Sequence, residues 1–192
     1  MVLTSGTALG QAQADEKALP KCPVTGKPAN LAVNVATDEG PVFFYCEDCV
    51  EKFKADPGKY AKVVADQRKA LADRPKVQVT CPVTGKPVDK KVFTEHNGEK
   101  VYFCCENCIG KFQKEPGKYK RALASSYTFQ TKCPVMGGPI NPAAFTALPT
   151  GEKIYYCCPG CDKKLLADPA KYAGKLAEQG IRIDPAKIKK AD

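Results

Sequence analysis

Cysteine is the residue type that offers the most chemistry in this chain, and its spacing is regular. The sequence holds 11 cysteines in 192 residues. Three times, one cysteine opens a Cys-Pro-Val motif, and a Cys-x-x-Cys pair follows 24, 24 and 25 residues later. Clustered thiolates bind soft or borderline metal ions, and a Cys-x-x-Cys pair at a helix start also supports thiol–disulfide exchange. The cysteines therefore predict one sulfur-rich site in each of three segments.

The predicted metal ligands form three equivalent triads of an opening cysteine and a Cys-x-x-Cys pair. They are Cys22, Cys46 and Cys49; Cys81, Cys105 and Cys108; and Cys133, Cys158 and Cys161. Cys104 and Cys157 stand one residue before the pairs, where the first segment has Tyr45. Consecutive strand residues face opposite sides, so these two become fourth ligands only if the strand ends there; otherwise they are buried side chains or pairing thiols. Zinc is the predicted metal, with copper(I) or another thiophilic metal as the alternative.

The elements that must position these sulfurs also repeat. Each segment opens with a Cys-Pro-x-x-Gly turn, in which proline restricts one φ angle and glycine permits a positive one. Two short strands joined by a turn should follow, the second of them aromatic, and a helix should begin at the Cys-x-x-Cys pair. A proline eight residues beyond the pair ends that helix, and Asp56-Pro57 and Asp168-Pro169 predict the cap of a second one. The predicted fold is α+β: small Cys-rich units of knuckle turn, β-hairpin and helix, in three tandem repeats.

The repeat sets the predicted domain boundaries. We assign repeats to residues 21–75, 76–127 and 128–180, and a basic tail to 181–192. Units of this size have marginal cores and need a metal, disulfides or a partner. Residues 1–20 are interpreted as the remnant of a signal peptide or a flexible arm, because Ala12-Gln13-Ala14 has the form of a signal-peptidase site. This predicts an exported, periplasmic protein, with the cytoplasm as the alternative.

Charge and composition narrow the function classes. A single histidine rules out His-rich metal catalysis, and no general base, paired nucleophile or phosphate loop indicates an enzyme. No apolar run is long enough for a transmembrane helix. The net charge of +9 favours an acidic protein partner or a larger assembly; nucleic acid is disfavoured because lysines alternate with acidic residues on the helices. His96 is expected at the surface or as an auxiliary ligand, and Met136 as a packing residue or a thioether ligand for copper(I).

Three motifs together resemble a known family. The Cys-Pro-Val-x-Gly-x-Pro opening, the aromatic strand into Cys-x-x-Cys, and the Phe…Asp-Pro-x-Lys-Tyr ending are similar to the TRASH and YHS group of small metal-binding domains. The resemblance covers 21–64, 80–123 and 132–176. It implies a treble-clef-like fold, heavy-metal trafficking, sensing, resistance or sequestration, and ligation by each opening cysteine and Cys-x-x-Cys pair. The single knuckle cysteine departs from the four-Cys zinc form.

Three functions remain open at this level. The first is binding of thiophilic metal ions for trafficking, storage or sequestration. The second is a structural or interaction subunit whose metals only stabilise the fold. The third is a Cys-x-x-Cys thiol–disulfide protein, which would need neither the opening cysteine nor its near-constant spacing.

Overall fold

The structure is a computed structural model that describes residues 19–149 and 152–188. It is a mixed α+β chain with small sheets, as the sequence predicts. The signal-peptide interpretation of residues 1–20 falls almost wholly outside the described residues, as does the end of the basic tail. Among the residues described, no helix is long and apolar enough to cross a membrane.

Three antiparallel hairpins, one in each predicted repeat, carry the strands that lead to the Cys-x-x-Cys pairs. Their strands are β1 (Asn30–Thr37) and β2 (Gly40–Phe44); β4 (Asp89–His96) and β5 (Glu99–Phe103); and β7 (Asn141–Ala147) and β8 (Lys153–Tyr156). Each hairpin has an irregularity in its register near the start of its first strand. Asn97 and Gly98 both have positive φ in the β4–β5 turn, which is the geometry that an Asn-Gly pair favours. Two short strands, β3 (Val77–Gln78) and β6 (Tyr127–Thr128), pair between the segments.

A helix follows each hairpin, and a second one comes after the proline. They are α1 (Glu47–Ala55) and α2 (Ala61–Ala72); α3 (Glu106–Lys114) and α4 (Lys120–Ala124); and α5 (Cys161–Ala167) and α6 (Pro169–Ala177). The Asp168 carboxylate accepts from the amide of Lys171, so this predicted cap is confirmed. The Asp56 carboxylate instead accepts from the Lys59 amide in a short 3-10 turn, Gly58–Tyr60, so Asp56-Pro57 does not form the predicted cap of α2, which begins at Ala61. Pro159-Gly160 delays the start of α5, because Gly160 has φ +87°.

Each opening turn is closed by backbone hydrogen bonds that place its cysteine beside the hairpin. The Cys22 amide donates to the Lys27 carbonyl over 2.7 Å, and the Gly26 amide donates back to Cys22 over 2.9 Å. The same pair of bonds recurs at Cys81 and Cys133. In each turn the glycine three residues after the Cys-Pro proline has a positive φ, a conformation in which a residue without a Cβ is unstrained.

Each segment has a core of its own, and further contacts join the segments. The cores centre on Phe44, Phe103 and Tyr156, all fully buried at the ends of the aromatic strands. The third core also takes in Ile181 and Ile188, so the residues predicted as a tail pack against the fold as far as 188. A 3-10 turn, Pro185–Lys187, lies between them and is capped by Asp184.

The chain closes on itself because the residues after α6 bond to the first hairpin. The Leu31 amide donates to the Gly180 carbonyl over 2.9 Å. The Asn30 side chain donates from Nδ2 to the Arg182 carbonyl over 2.8 Å, and its Oδ1 accepts from the Arg182 backbone amide over 3.1 Å. Residues about 150 positions apart in sequence are thereby held side by side.

Candidate metal centre

Two groups of sulfur atoms lie close enough together to hold a metal ion. In the second segment they belong to Cys81, Cys104 and Cys108, and in the third to Cys133, Cys157 and Cys161. Within each group the three Sγ atoms all lie within 4.8 Å of one another. The opening cysteine and the second cysteine of the pair are buried, whereas the one before the pair is half-buried. Cys104 and Cys157, whose role the sequence left open, are therefore members of the two sulfur groups.

The end of the strand explains why neighbouring cysteines face the same site. β5 ends at Phe103 and α3 begins at Glu106, so Cys104 and Cys105 lie in neither element. Their Sγ atoms are 3.9 Å apart, and both approach Cys108 Sγ, at 3.7 Å and 3.5 Å. The condition set by strand alternation is thus met for Cys104. The predicted ligand Cys105 lies beside Cys104 and Cys108 but is not one of the three sulfurs that lie within 4.8 Å of one another.

The third segment repeats this arrangement. Cys157 Sγ lies 3.6 Å from Cys158 Sγ and 4.0 Å from Cys161 Sγ, and Cys158 Sγ lies 3.4 Å from Cys161 Sγ. Cys105 and Cys158 are the exposed members of their clusters. Each is the most accessible sulfur of its cluster, next to one half-buried and two buried cysteines.

The first segment differs because it has one sulfur fewer. Cys46 Sγ lies 3.4 Å from Cys49 Sγ, but no group of three ligand atoms as compact as the other two is found in the described part of this segment. Tyr45 takes the place of the fourth cysteine, with the Lys27 ammonium 4.9 Å and the Arg182 guanidinium 4.8 Å from its ring centroid. Tyr45, Cys46 and Arg182 line an open cleft of about 470 Å³.

The opening cysteines are stabilised as thiolates. Burial raises the pKa of Cys81, but hydrogen bonds from the Cys104 amide, the Thr84 side chain and nearby turn amides outweigh it and lower this pKa to about 7. The pKa values of Cys22 and Cys133 are also lowered. Burial raises both, but the Thr25 side chain and nearby amides outweigh it at Cys22, and the amides of Met136, Cys157 and Val135 outweigh it at Cys133. Backbone amides that point at a sulfur stabilise its charge without supplying a counter-ion. The cysteine of each opening turn is thus stabilised in its thiolate form.

The second cysteine of each pair behaves in the opposite way. Burial, followed by the neighbouring thiols, raises the pKa of Cys49 and of Cys161 to about 12, and raises that of Cys108 as well. A second thiolate is disfavoured where one is already present, unless a cation lies between them. A bound metal ion would supply that cation and displace the protons.

Three buried glutamines that sequence reasoning missed connect these sites to the hairpins. Gln67, Gln78 and Gln130 are 3%, 5% and 0% exposed, and each side chain bonds both to the last strand before the Cys-x-x-Cys pair and to the residue before the opening cysteine. Gln78 and Gln130 each stand three residues before an opening cysteine, so their shared offset is a signal in the sequence. Gln67 lies in α2 and has no such signal.

Two other candidate ligands lie outside the sulfur groups. The His96 ring packs edge-on against Phe112, with 5.1 Å between ring centroids, and belongs to neither group. Met136 is 63% exposed, so its expected packing role is wrong. A comparison of the chain with protein-family models, curated proteins and solved structures finds no match.

Proposed function

We propose that this protein binds thiophilic metal ions through its cysteine clusters, for trafficking, storage or sequestration. The observation that carries the proposal is the pair of three-sulfur groups with all Sγ atoms within 4.8 Å. In each group an opening cysteine meets two cysteines that lie more than 20 residues later in the sequence. Unpaired thiols at that distance from one another are the donor set that soft and borderline ions prefer. The two opening cysteines, stabilised as thiolates, would supply the first ligand of each site.

We further propose that the three segments are tandem treble-clef-like repeats of the TRASH and YHS type. The equal order of turn, hairpin and helix supports this, as does the shared register irregularity in the hairpins. The ligands proposed by this resemblance are each opening cysteine and Cys-x-x-Cys pair. Cys104 and Cys157 then supply a fourth sulfur in the second and third repeats.

Zinc is the proposed metal for the repeats with four cysteines, because it takes four ligands in a tetrahedral site. The first repeat offers three sulfurs, which suits copper(I) or a zinc ion with one exchangeable ligand. We propose that the first repeat exchanges its metal fastest. A site that exchanges its metal quickly suits metal trafficking better than three sites that are all fully coordinated by the protein.

The test is metal content measured together with free thiols on anaerobically purified protein. The proposal predicts about one thiophilic ion per repeat and 11 titratable thiols after unfolding in chelator. Cobalt(II) substitution should add sulfur-to-metal charge-transfer bands in the near ultraviolet. A protein with three disulfides and no metal would refute the proposal.

A structural role is the second candidate, and the placement of the sulfurs favours it. The opening cysteines and the second cysteines of the pairs are buried within the hydrophobic clusters of their segments. Metal bound there would stabilise the fold directly. Chelation distinguishes the two roles: a purely structural site unfolds on metal removal, whereas a cargo site releases metal to a chelator while the far-ultraviolet circular dichroism persists.

Thiol–disulfide exchange is the third candidate. The two sulfurs of each Cys-x-x-Cys pair are 3.4 Å to 3.5 Å apart, and in the second and third segments the first cysteine of the pair is exposed. The thiol titration described above decides this case too, because a redox protein would hold its pairs oxidised without metal. We propose an exported location, an acidic partner or a larger assembly, and no enzymatic activity.

A further inference from the structure

Three glutamine side chains make the same set of hydrogen bonds in the three segments. In the second segment, Gln78 Oε1 accepts from the Tyr102 amide over 2.8 Å, while Nε2 donates to the Tyr102 carbonyl over 2.8 Å and the Thr80 carbonyl over 3.2 Å. Gln130 forms the same three bonds to Tyr155 and Lys132. Each amide is therefore fully used while buried, which is the condition under which a buried polar group stabilises a structure.

The bonded residues lead directly to the metal ligands. Thr80 immediately precedes Cys81, and Tyr102 lies two residues before Cys104. The Cys104 amide in turn donates to the Cys81 sulfur. Gln78 thus fixes the distance between the opening turn and the strand end from which the remaining sulfurs project. Gln130 connects the corresponding points in the third segment, where the Cys157 amide donates to the Cys133 sulfur.

The first segment reaches the same result with a residue from another element. Leu19 stands three residues before Cys22, where the other segments have glutamine. Gln67 of α2 fills the role: its Oε1 accepts from the Phe43 amide over 2.8 Å, and its Nε2 donates to the carbonyls of Phe43 and Lys21 over 2.8 Å and 2.9 Å. The bonds are preserved although the residue that makes them comes from a different place in the chain.

We propose that Gln67, Gln78 and Gln130 are positioning residues of the three metal sites, an inference that rests on the proposed function. Gln78 and Gln130 hold their opening cysteines within 4.8 Å of the two other sulfurs of each group, a distance that one metal ion spans, and Gln67 makes the same bonds in the first segment. Hydrogen-bonded groups outside the ligand set orient ligands in this way, and their loss commonly weakens metal binding by about 10- to 100-fold. The sequence offset of Gln78 and Gln130 would then be part of the metal-site motif.

The test uses the full chain loaded with ¹¹³Cd, whose chemical shift depends on the number and geometry of its sulfur ligands. Gln78→Leu removes all three hydrogen bonds, and Gln78→Glu keeps the length and the acceptor but removes the donor. Gln130→Leu is the equivalent change in the third segment. Gln113→Leu is the matched control, because Gln113 is exposed and its side chain donates to the Thr94 hydroxyl, at 3.2 Å, rather than to the backbone of a sulfur site.

We expect Gln78→Leu to shift or broaden one cadmium resonance and to speed release from that site to a chelator by about 10- to 100-fold. Gln130→Leu should change a different resonance, Gln78→Glu should act in the same direction as Gln78→Leu, and Gln113→Leu should change neither the spectrum nor the release rate.

Each other outcome is decisive. If the wild-type protein binds cadmium and Gln78→Leu leaves both its resonance and its release rate unchanged, the positioning role is overturned. If both Gln78 variants lose the resonance of the third segment as well, the glutamine supports the fold as a whole, and the positioning role is again overturned. Failure of the wild-type protein to bind cadmium would instead refute the proposed function.

Discussion

Gly180 is the residue through which the third segment closes on the first. Its carbonyl accepts from the Leu31 amide over 2.9 Å, and its φ of +81° is in the left-handed region. A Cβ at this position would lie 2.7 Å from Leu19 Cδ2, 2.7 Å from Leu31 Cδ1 and 3.1 Å from Leu31 Cγ. Leu31 is buried and its backbone is bonded to Gly180, so it has little room to withdraw. We predict that Gly180→Ala destabilises this closure.

The cost has two parts, which a matched control separates. The left-handed conformation costs an alanine about 1–2 kcal/mol, and the overpacking adds about 1–3 kcal/mol. Gly98 has nearly the same φ, +79°, but a Cβ there meets no heavy atom within 4 Å. Gly98→Ala should therefore show only the conformational cost. We expect Gly180→Ala to lower the free energy of unfolding by about 1–3 kcal/mol more than Gly98→Ala does.

Urea denaturation at a fixed metal load measures this difference, and hydrogen exchange shows where it arises. The amides of Leu31 and Arg182 are bonded across the closure, so Gly180→Ala should reduce their protection while Gly98→Ala should not. Equal unfolding free energies for the two variants, with Leu31 equally protected in both, would show that the clash at Gly180 does not constrain the fold.

Three further predictions concern the sites and the cores. Tyr45→Cys places a sulfur where the other segments have their additional cysteine, so the first segment should release cadmium to a chelator more slowly; an unchanged rate would show that this position does not contribute a ligand. Phe112→Ala should lower the free energy of unfolding measured in urea by about 3–5 kcal/mol, because the Phe112 side chain is 2% exposed. Phe93 is 40% exposed, so Phe93→Ala should lower it much less, and similar decreases for the two variants would contradict the assigned core. In the reduced, metal-free protein, the pKa of Cys81 is lowered from its usual value of 9.0 to about 7, so its contribution to stability is complete above pH 9.0 and is lost as the pH falls through 7. The pKa of Cys161 is raised from 9.0 to about 12, so its contribution is complete below pH 9.0 and is lost as the pH rises towards 12. The urea midpoint should therefore be highest near pH 9, and a midpoint that does not vary between pH 6 and 11 would contradict these shifts.

Much of each segment could be predicted from the sequence because its determinants are local. Proline and glycine specify the opening turns, and aromatic and β-branched residues specify the second strands. The Asp-Pro pairs mark the end of one helix and the start of the next turn or helix. The period-four spacing of Cys49 with Phe53 places both on the buried face of α1, as the helical pattern indicates. The same local spacing predicted three cysteine triads, but the compact sulfur groups of the second and third segments contain Cys104 and Cys157 in place of Cys105 and Cys158.

Other features were decided only by the tertiary structure. Whether Cys104 joins Cys81 depends on where β5 ends, and a shift of one residue would turn its sulfur to the opposite face. Gln67 acts on a hairpin that lies 24 residues earlier, and Asn30 bonds to Arg182 across 152 residues. No pattern within a short window contains these pairings, because they depend on how complete elements pack. The sequence by itself therefore determined which residues could form each site, and only the packing of the segments decided which atoms meet.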